Sequence, residues 1–184
     1  MLIHCTKLAC KRLKISPPVI EKEYNPIHSW RLHVVEQGRQ RVLVFMNDAT
    51  RYCVALKGIK AKDWPKLSRL FIERLREVML ADQIVPDVVD HYLSISGEIE
   101  YYRNNDKKMT SWLNKTCESV CYGYQYRDND ISLSLYACHF LAGTKGEKYW
   151  EPSEKFREYI GAEPPRVKLI RPDFSGQLFF PPTK

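Results

Sequence analysis

An α+β fold built on a mainly antiparallel sheet is what this sequence predicts. Three observations lead there. Residues 30–57 hold three apolar, strand-like segments separated by tight-turn residues. Residues 62–81 repeat apolar side chains at helical spacing. The 184-residue chain, 44% hydrophobic and 28% charged, has the balance of an ordinary globular domain and not that of a disordered one.

Taken in order, residues 1–6 read as a short strand and Leu8 to Leu13 as a brief helix. Lys7, Lys11, Arg12 and Lys14 form its basic outer face, and Pro17 and Pro18 end it. Residues 19–29 read as a loop. The strands Trp30–Glu36, Arg41–Met46 and Arg51–Lys57 follow, joined by turns at Gln37-Gly38 and at Asn47-Asp48-Ala49-Thr50. Strands this close in sequence must pair antiparallel. Both faces of VLVFM and YCVAL are apolar, so these strands belong at the centre of the sheet.

The helix over 62–81 puts Trp64, Leu67, Leu70, Phe71, Leu75, Val78 and Met79 on one face. On its polar side Glu73 is spaced to pair with Arg69 and Arg76. Pro86 starts a helix over 86–95 and Gly97 stops it. Glu98–Arg103 alternates like a strand, and Asn104-Asn105-Asp106 offers a cap to a third helix through Met109, Trp112 and Val120. Ile131–Phe140 alternates apolar and polar residues and reads as a half-exposed strand. Pro152–Ile160 is a last short helix closed by Gly161. The expected whole is one domain over 1–161 with about three to four helices, followed by a proline-rich extended tail over 162–184.

The net charge is +7, and residues 1–60 carry most of the imbalance, with 11 Lys/Arg against 4 Asp/Glu. Such a surface suits nucleic acid or an acidic protein. No apolar run approaches the ~20 residues that span a bilayer, and the first residues lack the apolar core of a signal peptide. A cytoplasmic location without membrane attachment is expected. The six cysteines form no C-x-x-C pair, which points to buried free thiols and not to zinc ligands or disulfides.

A resemblance rests on Cys5-Thr6-Lys7, on the turn Asn47-Asp48-Ala49-Thr50-Arg51, and on Gly58-Ile59-Lys60-Ala61-Lys62-Asp63 entering a helix. With these elements the chain resembles a family of small bacterial proteins of unknown function, over roughly residues 1–161. The resemblance implies a compact α+β fold and carries no catalytic residues. It also implies an accessory role in a mobile-element or antiviral-defence (CRISPR-type) locus.

The sequence contains no motif for a nucleophile and its base, for metal, or for a phosphate-binding loop. No cofactor and no metal are expected. Of the five histidines, His4, His33 and His139 fall on expected strands, where they would have to converge to form a site. Gly143-Thr144-Lys145-Gly146 reads as a turn. Asp48 and Arg51 form either an exposed acid–base pair or a structural turn, with the turn favoured. Tyr101-Tyr102-Arg103 and Tyr122-Gly123-Tyr124-Gln125-Tyr126-Arg127 interleave aromatic and basic residues.

The function expected is that of a non-enzymatic accessory or regulatory protein acting through protein–protein binding. Nucleic-acid binding on the basic N-terminal surface is the alternative, and a hydrolase or nuclease with an unrecognised site the second alternative. The candidate contact residues are Lys7, Lys11, Arg12, Lys14, Asp48 and Arg51. In the tail they are Arg166, Lys168, Leu169, Ile170, Phe179 and Phe180.

Overall fold

The computed structural model describes residues 1–20, 23–38, 40–143 and 149–164. Its centre is a five-stranded sheet of β1 (Leu2–Cys5), β2 (Ser29–Gln37), β3 (Gln40–Asn47), β4 (Cys53–Lys57) and β5 (Glu100–Arg103), in the order β4-β3-β2-β1-β5. The meander β2-β3-β4 is antiparallel, with Leu32 opposite Phe45 and Phe45 opposite Val54. β1, however, lies parallel to both β2 and β5, so the sheet is mixed and not purely antiparallel. Short turns force the antiparallel half; β1 and β5 are drawn in from distant parts of the chain, and no local signal fixes their direction.

Six α-helices appear among the described residues, where three to four were expected. They are α1 (Lys7–Leu13), α2 (Leu67–Ala81), α3 (Pro86–Ile95), α4 (Lys107–Gly123), α5 (Asp130–Cys138) and α6 (Pro152–Ile160). Most of their ends follow the sequence signals. Asp106 accepts from Met109 N at 3.0 Å as the N-cap of α4, Pro86 opens α3, and Gly161 closes α6 with φ of 70°. The expected helix over 62–81 divides at Pro65 into a 3-10 turn, Ala61–Lys66, followed by α2, because proline cannot donate within a helix.

Alternation along the strands separates the two faces. On one, Phe71 of α2 stacks on Phe45 at 4.2 Å and meets Trp30 edge-on at 5.2 Å. Phe156 of α6 closes the end of this layer against Tyr52, Tyr92 and Trp30. The other face carries His4, Arg31 and His33 and is partly covered by α4. The buried side chains form one contiguous core.

α5 replaces the strand expected over 131–140. It runs along the outer edge of β4, and three of its side chains meet that strand's unpaired backbone. Asp130 accepts from Lys57 N at 2.9 Å, Ser134 from Ala55 N at 2.8 Å, and Cys138 Sγ from Cys53 N at 3.2 Å. Four helical residues advance about 6 Å and two strand residues about 6.6 Å, so the two spacings match. Alternation misled because α5 is covered on several sides and shows little helical asymmetry; its true signal is the four-residue repeat of Asp130, Ser134 and Cys138. Ser134→Ala is therefore expected to lower stability by about 1–2 kcal/mol, since a buried N–H loses its partner. Amide exchange at Ala55 should accelerate in that variant, and unchanged protection there would contradict the assignment.

Candidate functional site

The turn 47–52 sends its polar side chains in three directions. Asn47 points inward: its Oδ1 accepts from Ala49 N, Thr50 N and Thr50 Oγ1 at 3.1–3.2 Å, and its Nδ2 donates to Ile27 O at 2.8 Å. Asp48 turns toward β2 and Arg51 toward α4. The two are thus not an exposed acid–base pair; both are buried, with Arg51 only 3% exposed.

Asp48 is gripped by Arg31, whose Nε and Nη2 donate to the two carboxylate oxygens at 2.9 and 3.1 Å. Tyr24 accepts from Arg31 and donates to Asp48, and Arg31 also donates to Asn104. His4 lies next to Arg31 in the strand register and packs on Tyr24 at 4.9 Å. Burial, followed by the Arg31 charge, pushes His4 down to about 4, so its ring is neutral. Neither ring nitrogen has a hydrogen-bond partner among the described residues.

Arg51 enters a cleft of about 590 Å³. Its backbone has φ of 66°, an uncommon value for a residue with a side chain. The guanidinium carbon sits 4.1 Å from the centroid of Trp112 and 5.1 Å from that of Trp150. Lys108 lies 5.1 Å from Trp112, and Lys155 lies 4.0 Å from Trp150. The result is a ladder of cation, ring, cation, ring, cation that joins α4, the turn and α6 through favourable cation–π contacts. Lys115, Thr116, Ser119 and Tyr122 of α4 form one wall of the cleft, and Phe140, Leu141 and Tyr149 stand at its other side. Of the ten exposed large hydrophobic residues described, five are Tyr122, Tyr126, Phe140, Leu141 and Tyr149, so exposed apolar surface concentrates here. Gly123 permits the close approach of α4 to α5, since a Cβ there would stand 2.6 Å from Tyr136 Cδ1.

A second polar cluster stitches this cleft to the core. Asp82, fully buried at the end of α2, accepts from Ser153 at 2.6 Å and from Tyr52 at 3.1 Å. Arg157 and His139 approach its other oxygen at 3.3 and 3.4 Å. His139 also pairs with Glu151. Burial opposes a charged imidazole, but hydrogen bonds and charge from Asp82 and Glu151 prevail and raise His139 to about 9. That contribution is complete below pH 6.5, the ordinary histidine value, and is lost as pH rises through about 9. The unfolding free energy from urea titration should therefore fall between pH 6.5 and 9.5, by about 1–2 kcal/mol after solvent screening. In His139→Gln this part of the decline should vanish.

The remaining expected residues fall elsewhere. Lys7, Lys11 and Lys14 are exposed on or just after α1, while Arg12 pairs with Glu36. Arg166, Lys168, Leu169, Ile170, Phe179 and Phe180 lie outside the described residues, as do Thr144, Lys145 and Gly146 of the expected turn. The histidines do not converge: His33 bonds Thr6 at 2.9 Å, His91 is exposed, and His139 follows a helix and not a strand. Sequence reading did not single out Lys108, Lys115, Trp150, Phe140 or Tyr149 as a group. Lys108, Trp112 and Lys115 do share one helical stripe, but their meeting with Arg51 and Trp150 is non-local. Trp112 was legible only as part of a packed face.

Compared with known families, residues 2–155 match the model of a domain of unknown function, DUF6933. No curated protein matches the chain. No described helix is long and apolar enough to cross a membrane.

Proposed function

The chain belongs to DUF6933, a family whose description assigns no activity, and from that premise we propose that it is a non-enzymatic accessory protein that holds another protein at the Arg51 cleft. The observation that carries this reading is the gathering of exposed tyrosines and Phe140 around a cleft floored by a buried arginine. Tyrosine, tryptophan and arginine dominate the residues that anchor protein interfaces. The groups with catalytic character are already engaged: Asp48 is held by Arg31, and Asp82 and Glu151 hold His139. Among the described residues lining the cleft there is no histidine, aspartate or cysteine.

A protein partner is favoured over nucleic acid because the rings already pack against one another, Tyr122 stacked on Tyr136 and the outer two pairs tilted. Tyr126, Tyr122, Tyr136 and Phe140 form a chain with centroids 6.0–6.4 Å apart. Such rings offer edges and hydroxyls, whereas base stacking needs free faces. The proposed contact surface is thus moved from the basic face of α1 to α4 and α5.

The test is a photo-crosslinking residue placed at Tyr149 in the native host, with Ile95 on α3 as the control position. A single protein adduct from position 149, absent from position 95 and lost on adding Tyr122→Ala, is expected. Equal labelling from both positions, or adducts that nuclease removes, would overturn the reading.

A further inference from the structure

We propose that Cys5 and Cys10 are a disulfide-forming pair, which oxidised glutathione converts to a bond that clamps α1 onto β1. Both thiols are free, and they lie on different elements, Cys5 at the end of β1 and Cys10 in α1. Thr6 between them caps the helix, accepting from Ala9 N at 3.3 Å, and its carbonyl accepts from Cys10 N at 2.9 Å. That tight entry folds the chain back on itself. Cys10 Sγ comes to 3.8 Å from Cys5 O, and the two thiols hydrogen-bond one another. Cysteines can be bridged without backbone movement only where their side chains already converge.

The other neighbouring cysteines are placed differently. Cys138 Sγ contacts both backbone groups of Cys53, and both residues are fully buried. Cys117 and Cys121 lie one turn apart along a single helix, α4, and do not join two elements. In the Cys5–Cys10 pair, Cys5 is fully buried and Cys10 half-buried, so Cys10 meets the reagent first. Burial pushes both thiols up, but the Arg103 charge opposes this at Cys10. Arg103 is exposed and stands opposite Cys5 in the strand register. Only the thiolate attacks. The Cys10 thiolate takes one sulfur of oxidised glutathione, giving a mixed disulfide and one glutathione thiolate. Cys5 passes its proton to that thiolate and attacks the Cys10 sulfur, expelling the second glutathione. The pair loses two electrons and two protons, and one glutathione disulfide becomes two glutathiones. Thr6 also bonds His33 and donates its N–H to Leu32 O, so the clamp fixes α1 against β2 as well.

The test treats the native full chain with oxidised glutathione, alkylates the remaining thiols in acid, and digests with trypsin. Cleavage after Lys7 and Lys11 separates residues 1–7 from residues 8–11, so the bond appears as these two peptides joined. The joined pair is expected, with four of the six thiols still alkylated. In Cys5→Ser glutathione should remain on Cys10, and in Cys10→Ser both products should disappear. Amide exchange across α1 should slow several-fold in the oxidised chain. Joined peptides that form only after unfolding in urea, or no more readily than a Cys117–Cys121 bond, would overturn the proposal. So would an α1 that exchanges equally fast in both states. The wild-type peptide map decides the pairing even where a variant fails to fold.

Discussion

Replacing Asp82 by alanine is expected to destabilise the protein by about 3–5 kcal/mol, the cost of leaving a buried charge without its partner. Four groups converge on this carboxylate: Ser153, Tyr52, Arg157 and His139. It sits at the C-terminus of α2, where the helix dipole disfavours a negative charge. The two cations counter that disadvantage. Without Asp82, Arg157 stays 3% exposed with little left to balance it, and His139 keeps Glu151 alone. Asp82→Asn separates charge from shape, because it retains an acceptor for Tyr52 or Ser153. Urea denaturation at pH 7 should rank wild type above Asp82→Asn and Asp82→Asn above Asp82→Ala. Equal midpoints for wild type and Asp82→Asn would show that the charge contributes nothing.

The second large effect concerns Arg31 and Asp48, 1% and 3% exposed at their side chains. Asp48→Ala should likewise cost about 3–5 kcal/mol, since the guanidinium keeps only Tyr24 and Asn104. The loss should propagate, because Tyr24 bonds both partners and anchors the segment between α1 and β2 to the sheet. Faster amide exchange in residues 23–28 would report that release. The double variant Arg31→Met/Asp48→Leu is expected to recover most of the lost stability, as a buried ion pair is often no better than apolar side chains of similar size. A double variant as unstable as the worse single one would mean that the pair's geometry, and not its charge balance, holds this region.

The contrast between legible and illegible parts follows the range of the forces involved. The meander from Trp30 to Lys57 was readable because alternation and turn chemistry act within a few residues. Helices α3 and α6 were readable for the same reason, with Pro86 and Gly161 marking ends that backbone sterics impose. The parallel pairing of β1 was not readable, since Ile3 meets Trp30 and Tyr101 only after long loops close. α5 failed for a different reason. Its serines looked like the polar side of a strand, yet Ser134 is buried and spends its hydroxyl on a neighbouring strand's backbone. The site divides in the same manner. Asp48 and Arg51 were visible as a polar turn, but their separate destinations depend on Arg31 of β2, Trp112 of α4 and Trp150 just before α6. The expectation of a small family of unknown function agrees with the family match, which includes the three short motifs that suggested it.

The position of α5 along β4 has a consequence for how copies of this chain coexist at high concentration. An open sheet border is a template on which an identical strand from another molecule can add, and repetition of that step yields fibres. Here the outward amides of Cys53, Ala55 and Lys57 are occupied by side chains that cannot extend a ladder. The helix that blocks this polymerisation also supplies Ala137 to the cleft, and Phe140 and Leu141 follow directly from its end. On the proposed function, a partner in the cleft presses on the same helix that covers the β4 border, so edge protection and the proposed contact share one element.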